Sequence, residues 1–483
     1  MSRFVQAIQT EDSKTLNGMT TNTSTLNDCV NLFFTIGAMR GEDVERLLSN
    51  FSKAFNEDPQ TAMRILFWAR DVRGGAGERQ IFRDILSYLT ATNPEAVRTN
   101  LNLIPEYGRW DDVHVLFNTS LESDAINLIV TGLEEGNGLC AKWVPRKGEI
   151  FNKIRKNLGV DPKTLRKRVV ELSNTVEQKM CSGNWEGIEY AKIPSLAMSR
   201  YGKAFGRNDQ VRFGEYITAL QNGETKVNAG AVYPYDITKN LNSYNGNVPL
   251  AVEQWKALPN WMEDTDELIL PVVDVSGSMS CSAGGSKTVS CMDVAISLGL
   301  YISERNEGAF KDAFITFSSN PTVQVLKGNL QERFTQLRRA DWGMSTNLEA
   351  TFKLVLDQAV RHNIPRDEMP TKILILSDME FNSATRGSAS RWRNETEHDW
   401  NPTALEMINE MYLEKGYDRP NIVFWNLNSR QDNFPVRFDE AGTALVSGFS
   451  PSIMKSLIGG EDITPVSIMR KTIESERYEP ITV

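Results

Sequence analysis

The sequence predicts a multidomain protein of α and α/β class, an all-helical repeat region followed by a doubly wound α/β domain. Three observations carry that expectation. Between residues 28 and 207 apolar residues recur at helical spacing, and from 208 to 266 that spacing is lost. From Leu268 onward, short β-rich apolar runs alternate with amphipathic helical stretches, the signature of a parallel sheet with crossover helices. At 483 residues the chain is also too long for one ordinary core, so two or more domains are expected.

The helical half opens with DCVNLFFTIGA, VERLLSNFSKAF and PQTAMRILFWARDV. Asp58-Pro59 makes a good helix start, because proline at the first helical position forfeits no hydrogen bond. The glycines of RDVRGGAGERQ, Arg70 to Gln80, separate that helix from IFRDILSYL. The stretch lacks the GxxxxGK[ST] spacing of a phosphate loop and reads as a helix–helix turn. In IPEYGRWDDVHVLF, Pro105 and Gly108 break the chain, and Asp111 and Asp112 can cap the next helix. Arg109 reads as a structural partner of these two aspartates; Arg73 and Arg79, also at helix boundaries, stay unassigned. Helix pairs recurring about every 35 to 45 residues resemble a repeat solenoid.

Asn, Gly and Tyr dominate NAGAVYPYDITKNLNSYNGNVP, which reads as a partly extended connector ending in a short helix around AVEQWKAL. Six strands are then expected: LILPVVD, DAFITF, TVQVL, TKILILSD, NIVFWNL and GTALVSG. Helices are expected at CMDVAISLGLYISERN, NLEATFKLVLDQAVRH and PTALEMINEMYLEKG, with a short helix and tail at the end. The expected division is therefore a tail over 1–25, helical repeats over 26–235, a connector over 236–266, the α/β domain over 267–463 and a terminal helix and tail over 464–483.

Chemistry concentrates at the strand ends. LILPVVD runs into Asp274-Val275-Ser276-Gly277-Ser278, and a DxSxS at such a position aims a carboxylate and two hydroxyls at one point. The loop WGMSTNLE adds Thr346, with Ser345 as an alternative, and KILILSD ends at Asp378. Two carboxylates and three hydroxyls suit a hard divalent ion, Mg²⁺ with Mn²⁺ as substitute, and an acidic group on a partner can complete the coordination. Asp293 and Glu380 lie near in sequence but form no second-metal cluster, and three histidines offer no Ser/His/Asp order. No catalytic residue is assigned, and the protein reads as a binder.

Composition bounds the rest. No apolar run reaches the roughly 18 residues of a membrane span, and the start has no signal-peptide core. Five cysteines, odd in number and without a CxxC pair, point to reduced thiols and a cytoplasmic protein. Cys281 and Cys291 bracket the small-residue loop SAGGSKTVS; a redox role is open to them, and idle thiols on a mobile loop are the preferred reading. Net charge is −9, yet Lys142 to Arg207 holds fifteen Lys and Arg against six Asp and Glu. One basic segment in an acidic chain points to a local polyanion surface. Lys142, Arg146, Lys147, Lys153, Arg155, Lys156, Lys163, Arg166, Lys167 and Arg168 are the candidate RNA contacts. Trp143 and Phe151 are candidate stacking platforms for unpaired bases, and Trp185 reads as core.

DVSGSM, DWGMSTN, ILSDMEF, NIVFWNL and ALVSGFS together resemble the von Willebrand factor A (VWA) half of a family in which a TROVE-like helical region precedes the VWA domain. RDVRGGAGERQ, IPEYGRWDD, IPSLAMSRY and NAGAVYPYDI extend the resemblance over nearly the whole chain. In plan this is similar to TROVE-VWA proteins of the Ro autoantigen type. The resemblance implies a metal-ion-dependent adhesion site at Asp274, Ser276, Ser278, Thr346 and Asp378. It also implies helical repeats that close into a ring and bind small structured or misfolded RNA in a ribonucleoprotein. The alternative is a metal-dependent protein-interaction adaptor without RNA, and a minor third reading is a metal-dependent nuclease.

Overall fold

The computed structural model describes residues 13–15, 20–242, 246–263, 265–286, 288–317, 321–340, 348–381, 402–459 and 463–483. It is helix-rich, with one six-stranded sheet. All six expected strands form: β1 (Ile269–Asp274), β2 (Ala313–Phe317), β3 (Val323–Val325), β4 (Lys372–Ser377), β5 (Asn421–Asn426) and β6 (Thr443–Ser447). Their spatial order is β3-β2-β1-β4-β5-β6, with β3 antiparallel to β2 and the other pairs parallel. This is the doubly wound order, and the connections change direction between β1 and β4. β1, β2, β4 and β6 are buried along their whole lengths, as continuous apolar runs demand when both faces of a sheet are covered. The helix Cys291–Arg305 lies against β1 at Gly299, where a Cβ would stand 2.5 Å from a methyl of Val273.

The chain separates into two compact units that interleave in sequence. The sheet unit takes residues 1–65, 233–238 and 260–475; the helical unit takes 66–232, 239–259 and 476–483. Both ends of the chain thus depart from the linear division expected from the sequence.

In the sheet unit the helix Asp28–Ile36 packs on β6. The Ser447 hydroxyl donates to the Phe33 carbonyl at 2.8 Å and accepts from the Gly37 N–H at 3.1 Å. A Cβ on Gly37 would come within 2.8 Å of the Ser447–Gly448 backbone, so only glycine permits this approach. The expected N-terminal tail is also tied down in its described part. Asn22 and Phe434 exchange backbone hydrogen bonds at 3.2 and 3.0 Å, and Arg437 donates to the Ser24 carbonyl at 2.8 Å.

In the helical unit, one apolar cluster gathers Ile188, Tyr190, Met198, Phe205, Phe213, Tyr216 and Leu220. The loss of helical spacing expected over 208–266 is corrected here. Gln210–Gln221 and Pro234–Asn242 are helices, the first because Phe213, Tyr216 and Leu220 share one face and are buried in that cluster. Trp185 packs against the same cluster, as a core residue does. The glycine-rich turn joins Pro59–Arg70 to Arg79–Thr92, and a Cβ on Gly75 would stand 1.9 Å from the Trp68 carbonyl oxygen. At the other end of the chain, Arg477 and the Tyr478 hydroxyl both donate to the buried Asp71 carboxylate, at 2.7 Å and 3.0 Å. Among the described residues no helix is long and apolar enough to cross a membrane.

Candidate metal centre

Strands β1 and β4 are neighbours in register, Val273 opposite Leu376, so the residues that follow them emerge side by side. At such a switch point the carboxyl ends of the strands bound a crevice. Asp274 closes β1 and is fully buried; Asp378 follows β4 directly and is 3% exposed. The Asp274 carboxylate is fixed on both oxygens. Oδ1 accepts from the Ser276 N–H at 2.9 Å, and Oδ2 accepts from the Ser377 hydroxyl at 2.5 Å. The Ser276 and Ser278 hydroxyls stand 2.9 Å apart, and Ser278 lies near enough to the Asp378 carboxylate to act against the rise in its pKa. Four of the five expected ligands are thereby gathered at one place. Thr346, and Ser345 with it, lies outside the described residues.

Electrostatics make this grouping costly as a bare protein site. Burial pushes the Asp274 carboxyl up to about 7, with the nearby Asp378 charge adding to the effect. Burial likewise raises Asp378, against the nearby Ser278 hydroxyl, a hydrogen bond from the Glu380 N–H and the charge of Arg430. Asp378 Oδ2 is buried and has no hydrogen-bond partner among the described residues. A buried carboxylate oxygen left open beside a second carboxylate fits a cation as its missing partner. Among the described residues no three His, Cys, Asp or Glu side chains group for a metal, so hydroxyls must share the work with the two aspartates. That is the donor set of a hard ion such as Mg²⁺. Backbone strain marks the same point: Met379, directly after Asp378, has φ 64°, a conformation costing a bulky side chain on the order of 1 kcal/mol or more.

Two residues absent from the sequence reading border the centre. Arg430 donates to the Ser278 carbonyl at 3.1 Å, and Asn428 donates to Cys281 Sγ at 3.1 Å. Both lie past β5, more than 140 residues from the DxSxS turn, and no local pattern marks them. Asp293 caps its own helix with Ser290, and the buried Glu380 accepts from Asn433 at 3.2 Å. Neither builds a second cluster with the two aspartates.

The basic segment divides in two. Arg146 donates to the carbonyls of Ala141 and Val144, at 3.3 and 2.7 Å, and Arg168 to that of Leu133 at 3.0 Å. Lys153 is held by Glu122 and Glu149, each at 2.8 Å, and Arg155 by Asn152 and the Val160 carbonyl. Lys142 is half-buried, its ammonium 5.9 Å from the Trp143 ring. Arg146, Arg168, Lys153 and Arg155 thus already have partners within the fold. Lys147, Lys156 and Lys163 are exposed and meet no carboxylate among the described residues. Arg166 is exposed on the Arg146 carbonyl, and exposed Lys167 has only Glu171 at 3.8 Å. Phe151 is 2% exposed beneath the Arg166 guanidinium and cannot stack on a base, which corrects that expectation; Trp143 is half-exposed under Arg109.

The helical-half motifs resolve into architecture. Asp112 is completely buried and holds Arg70 at 2.7 Å and Arg83 at 2.6 Å, with Asp111 also on Arg83. Arg109, expected to pair with these aspartates, gives only its backbone N–H to Asp112. Gly108 is required above them, since a Cβ there would stand 2.4 Å from Asp112 Oδ2. Arg73 donates to the Glu106 carbonyl at 3.2 Å.

Comparison with known proteins finds matches to two families. Residues 269–480 match the family described as a domain of unknown function (DUF7788), beginning at the first residue of β1. Residues 15–108 and 153–268 match a second domain of unknown function (DUF2828), which leaves 109–152 outside both. The chain is similar to the uncharacterized protein L728 of Acanthamoeba polyphaga mimivirus, 27% identical over 529 residues covering 98% of this chain and 89% of that protein.

Proposed function

We propose that the sheet unit is a divalent-cation-dependent binding domain of the VWA type. Asp274, Ser276, Ser278 and Asp378, with Thr346, would hold Mg²⁺, and a carboxylate of a protein partner would fill a remaining position. The buried Oδ2 of Asp378, without a hydrogen-bond partner among the described residues and beside Asp274, is the observation that carries this reading. When bound, the ion supplies a positive centre that an acidic side chain can reach. The chain's own residues fix the two aspartates, and Arg430 beside the Ser278 carbonyl secures the turn that carries the hydroxyls. Thermal unfolding with Mg²⁺ and with EDTA, alongside the Mn²⁺ electron paramagnetic resonance signal, tests the assignment. Identical melts and an unaltered Mn²⁺ signal would overturn it.

A second reading, RNA binding by the helical unit, is favoured by the exposed, unpaired Lys147, Lys156 and Lys163 with Arg166 and Lys167 close in sequence. It accords with the resemblance to TROVE-VWA ribonucleoproteins. Its test is the nucleic acid released from the purified protein by a high-salt wash. Recovered RNA of defined size supports it, and a clean protein that ignores structured RNA at low salt returns the function to the metal domain alone.

A further inference from the structure

The hairpin that follows Ser278 brings two thiols together. Ser282 and Ser290 form an antiparallel bridge. It is closed by the Cys291 N–H on the Cys281 carbonyl at 3.0 Å and the Ala283 N–H on the Val289 carbonyl at 2.8 Å. Cys281 and Cys291 are the next facing pair, of the wider kind with Cα atoms about 5.5 Å apart. A disulfide spans Cα separations of about 4.4 to 6.8 Å, a range that includes the spacing typical of such a facing pair. The sulfurs lie 3.2 Å from each other. Access is unequal, because Cys291 is 1% exposed whereas Cys281 is half-exposed. The remaining cysteines stand apart, Cys29 and Cys140 buried and Cys181 exposed.

We propose that Cys281 and Cys291 are an oxidative modification site, a dithiol that a small-molecule disulfide converts into an intramolecular disulfide. The Cys281 thiol loses its proton to solvent and its sulfur attacks one sulfur of the reagent, releasing one thiolate and leaving a mixed disulfide. The Cys291 sulfur, likewise deprotonated, attacks the Cys281 sulfur and releases the second thiolate. Two protein thiols are oxidised, and one disulfide is reduced to two thiols. Asn428 keeps the Cys281 sulfur in place through its amide at 3.1 Å. The new bond crosses the base of the hairpin, and the Cys281 N–H is itself bound to the Ser278 carbonyl at 3.2 Å. Closure therefore restrains the turn bearing the Ser276 and Ser278 hydroxyls. That consequence rests on the metal reading, whereas the bond does not.

The test exposes the full-length protein to glutathione disulfide, alkylates remaining thiols and digests with trypsin without reduction. Lys287 separates the two cysteines in sequence, so only a disulfide keeps their peptides together. The wild type gives the linked pair. Cys291→Ser retains a glutathione adduct on Cys281, and Cys281→Ser takes none on the buried Cys291. Two alkylated thiols in the wild type, or an adduct on Cys281 that never passes to Cys291, overturn the proposal. Mn²⁺ titration of the oxidised and reduced forms is expected to differ several-fold in affinity. Equal affinities overturn the coupling to the metal, and no Mn²⁺ binding in either form overturns the metal reading while the linked peptides still decide the disulfide.

Discussion

The Ser377 hydroxyl donates to Asp274 Oδ2 at 2.5 Å, joining the last residue of β4 to the last of β1 just before the second buried carboxylate, Asp378. This hydrogen bond fixes one aspartate while the other keeps an open oxygen. The protein has thus oriented the site before any cation arrives, at the cost of two buried like charges.

Removing either carboxylate separates that cost from the cation's contribution. Asp274→Ala is expected to melt at the same temperature in Mg²⁺ and in EDTA. Asp378→Asn should also lose the Mg²⁺ response, yet melt above the wild type in EDTA because the repulsion is gone. For the wild type, Mg²⁺ at a hundredfold excess over its dissociation constant should add about 2.7 kcal/mol. Thermal unfolding of the three proteins in both buffers is the measurement, and a Mg²⁺ response that survives in Asp274→Ala sinks the ligand assignment.

The same pair gives stability a pH dependence of known sign. Without metal the folded-state pKa of Asp274 is about 7, raised above its ordinary value of 3.8. A raised carboxyl contributes stability that is complete below the unfolded value and is lost as pH climbs through the folded one. In EDTA the urea midpoint should therefore fall from about pH 4 to about pH 7 and level off above that. Saturating Mg²⁺ holds the carboxylate ionised, so its stabilisation should grow across that window. A midpoint in EDTA that is level from about pH 4 to about pH 7 would contradict the burial of an uncompensated pair.

The sheet was legible in the sequence because its short strands are apolar runs rich in β-branched and aromatic residues that alternate with longer amphipathic stretches. The helix Leu330–Arg339 was passed over, since Leu330, Phe334 and Leu337 are its buried apolar positions in a stretch otherwise full of charge. Residues 476–483 read as a tail because Tyr478 owes its burial to Asp71, 407 residues away. The DxSxS turn was legible as chemistry, whereas Arg430 and Asn428 reach it through tertiary folding alone. For Cys281 and Cys291 idle thiols were preferred over a redox role for the same reason: a hairpin pairing between Ser282 and Ser290 leaves no mark in composition.

Asp112 should be among the least replaceable residues of the helical unit. It faces Arg70, which is 1% exposed, and Arg83. Asp112→Ala strands a buried guanidinium, a change that costs about 3 to 5 kcal/mol. Arg109→Ala leaves that pair intact and should cost far less. Denaturant unfolding of both variants checks the contrast, and comparable losses would show that Arg109 carries more of the motif than its backbone hydrogen bond suggests.

The divided basic segment predicts two different mutant behaviours if RNA is the ligand. Lys147, Lys156 and Lys163 are exposed and unpaired, so replacing all three by Gln should leave the melting temperature near that of the wild type. Removing one lysine–phosphate pairing on a single strand lowers the slope of log affinity against log salt by about 0.7, so the triple variant should lose about 2 units of slope. Arg168→Gln acts oppositely. Its guanidinium closes the Leu133 carbonyl at the end of the helix Glu122–Glu134, so it should lose about 1 kcal/mol of stability with the slope little changed. Filter binding across a salt series, paired with melts of both variants, reads the two effects independently. A slope that falls with Arg168→Gln and holds in the lysine variant would place the phosphates on the residues that the structure assigns to the fold, and would move the RNA surface elsewhere.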